Sequence, residues 1–142
     1  MSGGNWVDAD FSSLKNLHEK FSSSNISKSR IQGSNIINSL FRNCSLKEAE
    51  FAGSQVKSCD FSGSDFTEVS ITYSALLKNT MSFVVWDRTA FYATQLADIV
   101  FDGALKGCSF ENCAFSRVTF QNAVLTNTFF KGKSLKRIRF VA

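Results

Sequence analysis

From Ile26 onward every fifth residue is large and apolar: Ile26, Ile31, Ile36, Phe41, Leu46, Phe51, Val56, Phe61, Phe66, Ile71, Leu76, Met81, Trp86, Phe91, Leu96 and Phe101. One four-residue step follows, and the series resumes at Leu105, Phe110, Phe115, Phe120, Leu125, Phe130, Leu135 and Phe140. Two positions before each sits a small residue, beginning Ser24, Ser29, Ser34, Ser39, Cys44 and Ala49; only Asn79, Ile99, Lys133 and Ile138 depart from this. A period of five is neither 3.6 nor 2, so neither a regular helix nor a regular strand accounts for it. The chain must turn a corner every five residues and point two side chains inward between corners.

The sequence of 142 residues corresponds to one ordinary domain or one short array of repeats. Its 44% hydrophobic content suffices for a core, and Phe (15) outnumbers Leu (10). Serine occurs 21 times and proline not at all. Stretches such as Cys59-Asp-Phe-Ser-Gly, Ser64-Asp-Phe-Thr-Glu and Cys108-Ser-Phe-Glu-Asn resemble the pentapeptide-repeat proteins, whose pattern is small, polar, Leu or Phe, any, any. The resemblance spans roughly residues 22 to 140. It implies an all-β fold: a right-handed, four-sided parallel β-helix, four repeats to a coil and about six coils in all. At ~4.8 Å per coil the rod would be about 30 Å long.

Stacked coils would place residues twenty apart in ladders. One side reads Phe41, Phe61, Met81, Phe101, Phe120, Phe140, and another Ile31, Phe51, Ile71, Phe91, Phe110, Phe130. Hydroxyls at the small positions would then need backbone partners inside the rod. Trp86 is large for a narrow coil, so an outward bulge over Ser82–Trp86 is expected. The four-residue step between Phe101 and Leu105 reads either as a tighter corner eased by Gly103 or as a bend.

Both ends of a solenoid need covers. Leu14, Leu17 and Phe21 fall on one face of a helix behind Ser12 or Ser13, which predicts a capping helix over 12–21 with Trp6 folded against it. The expected division is therefore an N-terminal segment and cap over 1–21 and the β-helix over 22–142. No cap is visible at the other end. Leu135 and Phe140 there are candidates for a self-association surface that would make a homodimer, and some members of the resembled family dimerise through this end.

Candidate chemistry is sparse, and no enzyme is expected. His18 is the single imidazole, with no nucleophile beside it in sequence. Cys44, Cys59, Cys108 and Cys113 all take the inward small position and read as buried reduced thiols rather than zinc ligands. Reduced thiols, and a start lacking the basic and apolar stretches of a signal peptide, point to the cytoplasm. No apolar stretch approaches a membrane span. No cofactor is implied.

The net charge is +4, yet without Lys131, Lys133, Lys136, Arg137 and Arg139 the remainder carries −1. That cluster is either a solubilising edge or a contact for an acidic partner. Nucleic acid is disfavoured, because exposed aromatics do not interleave with it. An acidic counter-cluster at Glu48, Glu50, Asp60, Asp65 and Glu68 suggests a dipole along the rod. Outward apolar residues gather mid-chain at Tyr73, Leu77, Phe83, Val85 and Tyr92, a candidate protein-binding patch with Tyr as anchor. The expected function is a non-catalytic protein–protein interaction module, in keeping with a resemblance to scaffolds, adaptors and effector domains. The alternative is DNA mimicry toward a topoisomerase, as in the gyrase-protecting members, which the basic charge opposes.

Overall fold

The computed structural model describes residues 3–15, 20–132 and 138–141. Within them the five-residue period becomes a backbone period. The second residue after each large apolar one has positive φ: Ser23, Lys28, Gly33, Asn38, Asn43, Glu48 and so on to Gly132. Each marks a corner. Four corners close a coil of twenty residues, and coils stack in parallel register, Ile31 on Phe51, Phe51 on Ile71, Ile71 on Phe91. Left-handed backbone is disfavoured for residues with a Cβ. Gly, Asn, Asp and Ser hold many corners accordingly, but Tyr73, Phe83 and Arg88 hold others.

Among the described residues thirteen strands follow in chain order: β1 (Arg30–Gln32), β2 (Asn35–Ile37), β3 (Glu50–Ala52), β4 (Gln55–Lys57), β5 (Ser70–Thr72), β6 (Ala75–Leu77), β7 (Trp86–Asp87), β8 (Ala90–Tyr92), β9 (Gln95–Lys106), β10 (Ser109–Glu111), β11 (Ala114–Thr126), β12 (Phe129–Lys131) and β13 (Ile138–Val141). One sheet stacks β1-β3-β5-β8-β10-β12 and forms the side of the rod named here after Ile31. The other stacks β2-β4-β6-β9-β11-β13. Its first three strands lie on the next side around, the Ile36 side. The remaining two, the Phe41 and Leu46 sides, are held in the lower coils by single bridges: Lys20 to Leu40 to Asp60 to Thr80, and Asn25 to Ser45 to Asp65 to Val85.

The interior is filled. Phe41 stacks on Phe61 at 4.8 Å between centroids, Phe101 on Phe120 at 4.9 Å and Phe91 on Phe110 at 4.6 Å, with ring planes within 11° of parallel. Such pairs add about 0.5–1.5 kcal/mol each beyond burial. The expected hydroxyl partners are present: Ser54 Oγ donates to the Ile31 carbonyl at 2.9 Å and accepts from the Ser34 amide at 3.0 Å. Asn79 does both jobs through its amide, donating to the Val56 carbonyl and accepting from the Cys59 amide. Cysteine substitutes for serine in this ladder, Cys44 Sγ lying 3.0 Å from the Phe21 carbonyl. All four cysteines are buried free thiols. Burial pushes their pKa values up, that of Cys59 to about 11.

Two expectations are corrected. No capping helix forms among the described residues of 12–21. Asp10 bridges Arg30, the Phe11 amide donates to the Arg30 carbonyl and the Ser13 amide to that of Gln32, so this segment is already a coil. Trp6, Phe11 and Phe21 pack together as its inward residues, at 5.7–6.2 Å between rings. The hydrogen bonds offered by the next coil outweigh the weak helical pattern. Leu17 and His18 lie outside the described residues. Nor does Trp86 bulge: it is 2% exposed and pairs with Leu105 in register, its ring 5.1 Å from those of Phe66 and Phe101. Its buried Nε1 has no hydrogen-bond partner, the cost of seating an indole there.

The four-residue step is a tighter corner. Gly103 sits at φ +79°, and the register between β9 and β11 shifts by one between Gln121 and Val124. The Phe83 amide, directly beneath, donates to the Asp102 carboxylate at 3.3 Å. Elsewhere the same corner amide reaches a backbone carbonyl one coil up, as Tyr73 reaches Tyr92.

Candidate protein-interaction surface

The central patch separates into three places. Tyr73 and Tyr92 share the corner between the Ile31 and Ile36 sides, their rings edge-on at 5.5 Å. The charge and hydrogen bond of Tyr92 raise the Tyr73 hydroxyl above its ordinary pKa. Leu77, half-buried, stands beside the next corner, and Phe83 occupies the one after, diagonally across the coil from Tyr73. Phe83 is 82% exposed and Tyr73 67%, both with positive φ. Val85 and Val124 extend the apolar surface near Phe83 along the Leu46 side.

Of the basic cluster, Lys131 pairs with Glu111 at 3.8 Å, and Arg139 is exposed on β13 with no ion pair to the described residues. Lys133, Lys136 and Arg137 lie outside the described residues, as does Leu135. Phe140 stacks on Phe120 at 5.2 Å and is 59% exposed, the last ring of the described aromatic ladder.

The acidic counter-cluster is largely neutralised from neighbouring coils. Lys28 pairs with Glu48, Arg42 with Asp60, Lys47 with Asp65 and Arg88 with Glu68. Asp60 shows the balance: partial burial raises its pKa, but hydrogen bonds from Ser62 and Arg42 bring it below the usual value. These contacts link successive coils, and twenty-residue periodicity alone brings them together. Among the described residues no three His, Cys, Asp or Glu side chains converge to hold a metal. The void within the lower coils, lined by Phe11, Phe21, Ile26 and Ile31 among others, measures about 10 Å³, hardly room for one water.

The sequence matches the pentapeptide repeats, in eight copies, over residues 24–63, 44–76 and 102–132. The chain belongs to the pentapeptide repeat family. Among curated proteins, comparison of the sequence finds no match. Among solved structures, this pentapeptide repeat protein is similar to trypsin-treated QnrB1, a plasmid-mediated fluoroquinolone resistance protein, with a TM-score of 0.70 at 15% identity over 98% of this chain and 75% of that one. It is also similar to a pentapeptide repeat protein from the Arabidopsis thaliana thylakoid lumen, with a TM-score of 0.53 at 18% identity over 88% and 70% of the two chains. Identities this low carry the likeness of fold alone. No helix among the described residues is long and apolar enough to cross a membrane.

Proposed function

We propose that this rod is a non-catalytic protein–protein interaction module. The observation that carries the reading is the exposure of Tyr73 and Phe83 on strained corners of an otherwise filled, rigid scaffold. An aromatic ring there costs both left-handed backbone strain and exposure of apolar surface, and both costs are offset if a partner covers it. DNA mimicry is the weaker reading. It needs a field of free acids, whereas eight of the eleven acids among the described residues are ion-paired.

The test is partner capture from extracts of the native host, quantified by mass spectrometry, with wild type against Tyr73→Ala/Tyr92→Ala and Phe83→Ala. The expected result is loss of specific partners at an unchanged melting temperature. Normal capture by both variants, or their unfolding, contradicts the reading.

A second reading rests on Phe140. Exposed at the end of its ladder on β13, with β12 the last strand of the other sheet, it suits a homodimer made end to end about a two-fold axis. The basic cluster opposes such a pair, and salt screens exposed charge over ~8 Å at physiological strength. Sedimentation should show association strengthening with salt and disappearing in Phe140→Asp. A monomer at high concentration and high salt ends this reading.

A further inference from the structure

We infer that the edge between the Ile36 and Phe41 sides binds an acidic protein segment carrying aliphatic side chains. This rests on the interaction-module reading and names the surface and the chemistry of the partner.

Three columns of outward residues meet at this edge. Backbone pairing sets the first as Ile37, Lys57, Leu77 and Ala97, and the third as Leu40, Asp60, Thr80, Val100, Thr119 and Arg139. Between them run the corner residues Asn38, Ser58, Lys78, Asp98 and Arg117. The acids on this edge are already engaged, Asp60 by Arg42 at 2.6 Å and Asp98 by Arg117 at 2.5 Å. Among the described residues Lys57, Lys78 and Arg139 form no ion pair within 4 Å, although Lys78 stands close enough to Asp98 to help lower its carboxyl pKa. The diagonally opposite edge differs, because its Lys28, Arg30 and Arg88 are each paired with an acid, and among the described residues Lys106 is the cation there without one. Unmatched positive charge is therefore concentrated across the rod on one edge rather than along its axis.

That edge also has a place to put a side chain. A groove of about 310 Å³ opens between Lys78, Thr80, Met81, Ser82, Asp98 and Val100. Met81 is buried, while Val100 is 46% exposed at the rim. Leu77 lies in the adjoining column, half-buried. An aliphatic side chain in the groove would cover Val100 while flanking carboxylates meet Lys57 and Lys78. Complementary charge would speed encounter and set orientation, and apolar contact would supply the rest. A nucleic acid fits worse, since stacking needs aromatic faces and this edge has none; Tyr73 and Phe83 are on the adjacent corners.

The experiment selects a phage-displayed library of short random peptides on the full chain and measures synthetic versions of the enriched sequences by fluorescence polarisation. Enriched peptides should combine Asp or Glu with Leu, Ile or Val. Their affinity should fall about tenfold or more in Lys57→Glu/Lys78→Glu, and similarly in Val100→Asp, and should weaken as salt rises. Tyr73→Ala and Phe83→Ala should leave it unchanged. Melting temperatures equal to wild type would show that the variants fold. Failure to enrich acidic peptides overturns the proposal, as does tighter binding of short duplex DNA or phosphatidylserine vesicles at this edge. Peptides lost in Tyr73→Ala yet retained in Lys57→Glu/Lys78→Glu overturn the edge but leave the interaction module standing.

Discussion

The coils below Thr94 and those above it use the same five-residue unit to different effect. Below, the Phe41 and Leu46 sides are joined by single bridges. Several corners there close on themselves: the Ser24 amide returns to the Phe21 carbonyl, Ser29 to Ile26 and Ser64 to Phe61. Above, β9 and β11 pair continuously around three sides, through corners that keep positive φ at Asp98 and Arg117. The small position of the Phe41 side changes with the boundary, from Ser39, Cys59 and Asn79 to the stacked Ile99, Val118 and Ile138. Small polar residues offer the backbone a local partner, whereas β-branched residues favour extended chain and fill space without one. On the Phe41 side one repeat thus yields two backbone habits, following the side chain two places before each large one.

The largest expected effect compares depth in the ladder. Phe61→Ala and Phe101→Ala, one in each region, should each cost about 3–5 kcal/mol in denaturant unfolding, because both leave cavities in a filled core. Phe140→Ala should cost about 1 kcal/mol or less, as expected for a half-covered ring. Equal costs at Phe61 and Phe140 would contradict the difference in their exposure.

Next is the small position itself. Asn79→Ala strips partners from the Cys59 amide and the Val56 carbonyl, both inside, and should cost about 1–3 kcal/mol. Ile99→Val, one coil higher, has no polar partner to lose and should cost about 0.5–1.5 kcal/mol. A reversed order would contradict the division between polar and apolar coils.

Smaller still is a corner effect. Gly53 and Gly63 have positive φ, but a Cβ on Gly53 meets open space while one on Gly63 runs into the Asn43 side chain. Both Gly→Ala changes should cost about 1–2 kcal/mol in backbone strain. Gly63→Ala should cost more, and Asn43→Ala should remove the excess. Equal melting temperatures for the two glycine variants would show that Asn43 yields freely.

The smallest effect concerns acid. The Arg117 hydrogen bond holds the Asp98 carboxyl below its ordinary pKa. Its contribution is therefore present above the ordinary carboxylate range and is lost as pH falls through the lower folded value. Asp98→Asn should lower the melting temperature slightly near neutrality and flatten the acid limb, the two proteins converging at low pH. A difference absent at neutral pH and growing as pH falls would contradict this sign.

Much of this architecture was legible because the large residues repeat without exception from Ile26. The first coil was hidden, since Asn16 interrupts the series between Phe11 and Phe21 while Leu14, Leu17 and Phe21 imitate a helix. Exposed residues were harder to place. Neighbours in sequence such as Leu77 and Phe83 look like one patch, but a corner every five residues carries them to different sides. The inward hydroxyl ladder was foreseeable from buried serine; the Asp102 carboxylate standing in for a carbonyl was not, because it depends on the coil above being one residue short.

Cross-linking of engineered cysteine pairs tests the coil geometry most directly. Rapid disulfide formation on mild oxidation is expected for Glu50→Cys/Ser70→Cys, paired twenty apart, and for Asp87→Cys/Lys106→Cys, paired nineteen apart across the short corner. Glu50→Cys/Asp65→Cys, fifteen apart and on different sides, should stay reduced, with the four buried native thiols silent. Equal closure of the fifteen-residue pair, or failure of the other two, would contradict a four-sided coil of twenty residues.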